Sequence, residues 1–356
     1  MEAEAGAASS QHDPGGGRVT IADIAARAGV SPSAVSFALN GRPGVSAETR
    51  ARIVALAREL DWRPHPAARA LSGGRAGAIG FVLNRPARTL GTDPFIGDLL
   101  SGIHVVLTDS RIGMTLLVAR DVEEEVRTYR DWARDRRVDG VVVIDPLADD
   151  PRTALLADSA LPTVVIGSHP SPAGAWPTVW VDDDRAAETL LRYLRALGHR
   201  RIGHVAGRPD HEHTAMRTAA VRRFAESGAL TWARSVPTDY STGAAAAATR
   251  DMLSEPDPPT ALMFENDVLA LAGYKVAAEM GLAVPADLSV VSFDDSVLAR
   301  TVGPAMTCLT KDTVELGARA ARLLVEQIDS GARLTSQPGP EPGLSVRDST
   351  APPRSR

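Results

Sequence analysis

The chain has 356 residues, a formal charge of −5 and 44% apolar residues, enough for two or three domains with cores of their own. Its one cysteine, Cys308, excludes an internal disulfide and any cysteine-cluster metal site. No apolar run approaches the roughly 18 residues a membrane helix needs, and the acidic opening MEAEAGAASSQHDPGGG has no signal-peptide core.

Residues 1–17 are expected to form a disordered leader. Charge then changes sign: Arg18 to Ser72 holds eight Arg against four acids, a net +4 on an acidic chain. A basic head on an acidic body points to a polyanion as the head's partner.

Thr20 suits the N-cap of a helix from Ile21 to about Ala28, with Ile24 and Ala28 on one face. Gly29 can take the left-handed conformation that ends it. Ser31 then caps a second helix, with Pro32 at its first position, where a missing N–H costs nothing. That helix should stop at Asn40-Gly41. Two helices around a short Gly turn are a helix-turn-helix. Ala25 is small where the helices cross, and Val35 faces back into the pair. A third helix follows: Ser46 caps it, and Ile53, Val54, Leu56, Ala57 and Leu60 repeat at helical period.

In a DNA-reading version of this motif the start of the second helix enters the major groove. Pro32, Ser33, Ser36 and Phe37 are the exposed positions expected there, with Ser33 the best polar candidate for a base edge. Thr20, Ser31, Ser36 and Asn40 suit phosphate contacts, which position without reading sequence. Phe37 either presses on a thymine methyl or packs on the third helix. Beyond it, Pro66 to Leu71 can form only a single helical turn, too short to stand alone. A duplex and a second copy of the segment would supply its partner; the segment equally suits a passive linker.

From residue 77 onward apolar strands alternate with helices such as Glu124 to Arg136. The strands are Ala78–Leu83, Gly140–Ile144, Thr163–Ile166, Arg201–Val205, Ala261–Phe264 and Leu288–Phe293. This is the signature of parallel sheets covered on both faces, and about ten such units imply two lobes. Ligands should then bind in the cleft beyond the carboxyl ends of the strands. Asn266-Asp267 and Asp294-Asp295 follow strands, Arg217 is expected to open the helix after strand 201–206, and Phe95 to start the first helix of the body. Carboxylate and guanidinium groups facing one cleft can hold vicinal hydroxyls, and a ring can stack on a sugar or base. Asn266 or Asp267 equally suits a helix cap, Phe95 equally suits the core, and Asp295 reads as structural. Trp176, Trp180 and Trp232 offer further stacking surfaces. No phosphate loop, dinucleotide fingerprint or nucleophile–base arrangement is present, so no enzyme, catalytic residue or cofactor is expected. His211-Glu212-His213 is a weak metal pattern, and no metal is expected. His199 reads as structural.

The segment VTIADIAARAGVSPSAVSFALNGRPGVSAETRARIVALARELDWRPHPAARAL resembles the LacI/GalR family of bacterial transcription repressors. So do RVDGVVV (137–143), LPTVVIG (161–167), LRALGHRRIGHVAG (194–207), FENDVLALAG (264–273), VPADLSVVSFDD (284–295) and SVRDST (345–350). The resemblance implies a small all-α helix-turn-helix DNA-binding domain (18–64), a hinge helix and linker (65–76), and a two-lobed α/β core of doubly wound parallel sheets (77–356). That core is like type I periplasmic binding proteins, with one lobe at about 77–181 and 311–338 and the other at about 182–310 and 339–356. It further implies a cytoplasmic homodimer or tetramer, on the nucleoid when bound to a pseudo-palindromic operator. Affinity would be set by a small molecule, a sugar by family frequency. The alternatives are a nucleobase- or nucleoside-dependent corepressor system, or a sugar-binding module without DNA function.

By the same resemblance Phe95, Arg217, Asn266 and Asp294 contact the effector. Arg63, Ala68 and Arg69 contact DNA, and Leu71 wedges into the minor groove. The chain also departs from the family. Phe37 stands where Arg is common, Ala34 for Thr, and His65 for Asn. Gly167 stands for an acid, Ser292 for Gly, and Glu265 for a small residue. Operator preference and pocket chemistry therefore do not carry over directly.

Overall fold

The computed structural model describes residues 19–39, 41–62, 75–87, 89–167, 169 and 176–354. The expectations for residues 1–17 and for Asn40, Arg63, His65, Ala68, Arg69 and Leu71 fall outside them. The chain divides into two compact units, residues 1–73 and 74–356.

The first unit is a three-helix head: α1 (Ile21–Ala28), α2 (Pro32–Leu39) and α3 (Ala47–Glu59). Thr20 and Asp23 cap α1 reciprocally, the Thr20 hydroxyl accepting from the Asp23 N–H and the Asp23 carboxylate accepting from the Thr20 N–H. Gly29, at φ +64°, ends the helix in the left-handed region, which its missing Cβ permits. Ser31 accepts from the Ala34 N–H at 3.2 Å, and Ser46 accepts from Thr49 at the same distance. Ile24, Val35 and Ile53 are fully buried around the small side chains Ala25, Ala28, Ala38 and Ala57, which let the helices approach. Two arginines tie the bundle. Arg50 donates to the carbonyls of Ala38 (3.1 Å) and Arg42 (2.6 Å), and Arg52 to that of Ala28 (3.1 Å). These carbonyls lie at or beyond helix ends, where intrahelical partners run out.

The second unit holds two six-stranded sheets. Its elements begin with β1 (Ala78–Leu83), α4 (Thr89–Thr92), α5 (Pro94–Ser110), β2 (Gly113–Val118), α6 (Val122–Asp135), β3 (Gly140–Val143), α7 (Arg152–Asp158), β4 (Thr163–Gly167) and β5 (Thr178–Trp180). The chain then enters the other lobe with α8 (Asp183–Ala196), β6 (Arg201–Val205), α9 (Glu212–Glu226), β7 (Trp232–Val236), α10 (Thr242–Leu253), β8 (Ala261–Phe264), α11 (Asp267–Glu279), β9 (Ser289–Ser292), α12 (Val297–Thr301) and β10 (Thr307–Thr310). It closes with α13 (Thr313–Ser330), β11 (Gln337–Pro338) and β12 (Gly343–Ser345). The N-lobe sheet runs β11-β5-β4-β3-β1-β2 and the C-lobe sheet β12-β10-β9-β8-β6-β7; every pair is parallel except β10–β12. The chain therefore crosses between lobes near 181, 311 and 340.

β1, β3 and β8 are nearly continuous runs of buried apolar residues, as strands covered on both faces require. In the N-lobe α5 and α13 meet backbone to backbone: a Cβ on Gly102 would collide with the Val314 carbonyl, and one on Gly317 with the Leu99 carbonyl. His199 bonds Thr260 at 2.8 Å and, from its other nitrogen, Ser289 and the Ala351 carbonyl. It pins the C-terminal tail to the C-lobe, as its structural reading anticipates. Asp295 holds Arg347 and Thr310 in the same lobe.

Two placements differ from the sequence reading. Arg217 lies in the second turn of α9 rather than opening it, because the Glu212 N–H is met by the Pro146 carbonyl at 2.8 Å and the helix starts five residues earlier. Phe95 begins the second helix of the body, since the short α4 precedes it.

Candidate DNA-reading head and ligand cleft

On the head, Ser31, Pro32 and Ser33 at the start of α2 are exposed. Ser36 is half-buried, a correction to its expected exposure: it flanks the buried stripe of Val35 and Ala38. Several hydroxyls expected on phosphates already have local roles. Thr20 donates to Asp23 at 2.7 Å, and Ser31 and Ser33 lie oxygen to oxygen at 2.9 Å. Phe37 is 38% exposed and is not among the side chains that build the head's core. Its ring lies beside Gly44 on the loop before α3.

The four effector candidates line one cleft. The N-lobe contributes Arg85 beyond β1, Asp93 and Phe95 at the start of α5, Asp145 beyond β3 and Gly167 at the end of β4. The C-lobe contributes Asp183, His213, Arg217, Tyr240, Glu265, Asn266 and Asp294, and Lys311 sits on the segment that crosses between lobes after β10. The centre is a tight space of about 80 Å³. A wider opening of about 1220 Å³ shares Arg85, Asp93, Tyr240 and Asn266 with it.

At the cleft each lobe presents one buried guanidinium held by two carboxylates. Arg85 meets Asp145 at 2.8 and 2.9 Å and Asp93 at 3.1 Å, and its guanidinium lies 4.7 Å from the Tyr240 ring centre. Arg217 meets Asp183 at 2.5 and 2.8 Å and Glu265 at 2.8 Å, stacked 4.2 Å over Phe293. Burial opposes ionisation at Asp145 and Glu265, but Arg85 holds the first, and Arg217 with His204 the second, well below the usual carboxylate range. Burial pushes Asp93 up to about 6, which Arg85 only partly offsets. Burial lowers His211 to about 4 and lowers His213 as well. The remaining candidates are also engaged. Asn266 caps α11 through the Leu269 N–H at 2.9 Å, Asp294 meets Lys311 at 2.7 Å, and the Lys311 ammonium lies 5.1 Å from the Phe95 ring centre.

Arg85, Asp93, Asp145, Asp183, Tyr240 and Lys311 are absent from the sequence-level candidates. A strand end was the available signal for Arg85 and Asp145. Glu265, noted only as a departure, is a hub: it accepts from Arg217, Thr214 and His204. The three tryptophans lie elsewhere: Trp232 under Arg201, Trp180 beside His169, and Trp176 against the N-lobe core.

Residues 20–65 match the family model of lacI-family bacterial regulatory proteins, and residues 191–350 match that of the periplasmic binding protein-like domain. The transcriptional regulator AglR of Rhizobium meliloti (strain 1021) is 31% identical over 94% of this chain and 95% of its own. A solved CelR–cellobiose complex superimposes with a TM-score of 0.70 at 28% identity, covering 93% of this chain and all of that one. The lac repressor dimer bound to operator and the anti-inducer ONPF does so at 0.76 and 25% identity, over 94% of this chain and all of that one. A helix-turn-helix head and a two-lobed receptor with a polar cleft define a ligand-responsive, DNA-binding transcription regulator. The chain belongs to the lacI family of such regulators. Its curated relatives are transcriptional regulators rather than enzymes, and no helix among the described residues is long and apolar enough to cross a membrane.

Proposed function

We propose that the protein is a cytoplasmic repressor that binds a pseudo-palindromic operator as a homodimer, with a sugar in the interlobe cleft setting its affinity. The observation that carries the sugar is the cleft wall: Arg85, Arg217, Asp294 and Asn266 stand around two rings, Phe95 and Tyr240, drawn from both lobes. Charged hydrogen-bonding groups suit hydroxyls, and rings suit the apolar face of a pyranose. A ligand touching both lobes alters their closure, and so the separation of whatever each lobe carries. The likeness to a regulator solved with cellobiose supports the same class.

In this reading residues 18–64 form the reading head, 65–76 the hinge and 77–356 the receptor. Pro32 and Ser33 face base edges. Ser31, Ser36, Thr20 and Asn40 serve phosphates, as do Arg63 and Arg69. Ala68 and Leu71 enter the minor groove, Leu71 as a wedge. Phe37 presents a ring where a bidentate Arg would read guanine, so apolar contact with a thymine methyl replaces that readout. Leu71→Ala should weaken operator binding by roughly tenfold, the loss of about 1.4 kcal/mol, while sugar binding is retained. The test selects a duplex from random DNA with the full chain, then titrates salt and candidate sugars. Steep loss of binding with salt and release or tightening by one sugar are the expected results. No selected palindrome, or indifference to every sugar, refutes the respective half.

A further inference from the structure

Asp145 follows β3 in the N-lobe, whereas His211 and His213 flank the start of α9 in the C-lobe. One ligand atom from each lies within 4.8 Å of the others. The two segments are stitched together by backbone: Leu147 and His211 form an antiparallel bridge, the Glu212 N–H donates to the Pro146 carbonyl at 2.8 Å, and the Ala148 N–H donates to the Asp210 carbonyl at 3.2 Å. The convergence is thus fixed by main chain rather than by long mobile side chains.

Two further observations point to a cation. His211 is 2% exposed, yet its Nδ1 has no hydrogen-bond partner among the described residues, an expensive omission for a buried polar atom. The surrounding charge is also unbalanced. Among the residues that line the cleft, five carboxylates (Asp93, Asp145, Asp183, Glu265 and Asp294) accompany three cations (Arg85, Arg217 and Lys311), so the wall around the imidazoles is rich in negative charge.

We propose that Asp145, His211 and His213 form a site for a divalent transition-metal ion that joins the two lobes across the cleft. Two imidazoles and one carboxylate suit Zn²⁺, Co²⁺ or Ni²⁺, whereas Mg²⁺ and Ca²⁺ prefer oxygen throughout. The outer supports are in place. Arg85 grips Asp145 from one side, leaving further lone pairs on its oxygens, and the Tyr240 hydroxyl at 2.7 Å fixes the His213 ring. Metal–ligand bonds of about 2.0–2.2 Å require the three atoms to draw closer, so the ion tightens the lobes against each other. The ion thereby stabilises the closed arrangement of the lobes, and its binding can be tested without reference to the sugar and operator readings.

The test uses the untagged, chelator-treated full chain. Titration with Co²⁺ should give visible d–d absorption saturating at one ion per chain, and Zn²⁺ should displace it with micromolar or tighter affinity and raise the thermal midpoint. His211→Gln and His213→Gln should each weaken binding at least tenfold, whereas exposed His104→Gln should not. X-ray absorption of the Zn²⁺-loaded wild type should show two imidazoles, and this readout holds should a variant fail to fold. Absence of stoichiometric binding, binding undiminished in the His211 and His213 variants, or a shell without two imidazoles overturns the proposal. None of these results bears on whether the chain binds an operator or a sugar.

Discussion

Arg85 and Arg217 are built alike, and they differ in which lobe supplies the ring on the guanidinium. Each is a buried guanidinium between two carboxylates with an aromatic ring on its face. For Arg217 every partner (Asp183, Glu265 and Phe293) belongs to the C-lobe, so the cluster stays whole when the lobes part. For Arg85 the carboxylates belong to the N-lobe but the ring, Tyr240, comes from the opposite lobe. Parting of the lobes would remove that ring and separate Asp145 from the α9 histidines, whereas Asp183, Glu265 and Phe293 would travel with Arg217.

Substitutions that break this contrast are ranked by expected effect. Arg217→Met leaves Asp183 and Glu265 buried without a counter-charge and should cost about 3–5 kcal/mol, read as a lower urea midpoint of the C-lobe. Arg85→Met should cost less, about 2 kcal/mol, because Asp93 can take up a proton more easily than Glu265. Equal losses would contradict the contrast.

A smaller effect concerns pH. Asp93 has a folded pKa of about 6 against roughly 3.9 when unfolded. The folded state therefore binds the proton first, and this group's contribution to stability is complete below the unfolded value and lost as pH rises through 6. Between pH 7 and pH 5 the wild type should gain roughly 1 kcal/mol relative to Asp93→Asn; parallel stability curves would refute it. The smallest effect is none at all. Cys308 is fully buried, and burial pushes its thiol well up, so a maleimide at pH 8 should label it only after unfolding.

The same contrast explains what the sequence made legible. Local signals carried the head: Thr20, Gly29, Ser31-Pro32 and Ser46 act within a few residues, and the structure uses each as a cap or a turn. Six of the twelve described strands, β1, β3, β4, β6, β8 and β9, were legible for the same reason, being short apolar runs; the other six, among them the two-residue β11 and the half-buried β2 and β7, were not. The site was legible in part. Asn266 and Asp294 lie just beyond strand ends and Arg217 in the second turn of α9, and the family resemblance drew attention to them. Arg85 pairs with Asp145, sixty residues away, through a sheet order that no local pattern encodes. Asp145 likewise completes a cluster that His211 and His213 alone could not suggest. Glu265 looked like a mere departure because its three partners arrive from α9 and β6. Ser36 was misplaced for a plainer reason: a position beside a buried stripe is neither in nor out, and helical period does not resolve it.

The proposed control of the head's grip on DNA by occupancy of the cleft ties the two units together in function. It is tested most directly by fluorescence anisotropy of a selected palindromic duplex with the full chain, at fixed salt, with and without the sugar that raises its melting temperature. Operator affinity should change by at least fivefold, within the usual range of allosteric coupling, and by much less when Arg217 is replaced. Tight sugar binding that leaves operator affinity unmoved would contradict it.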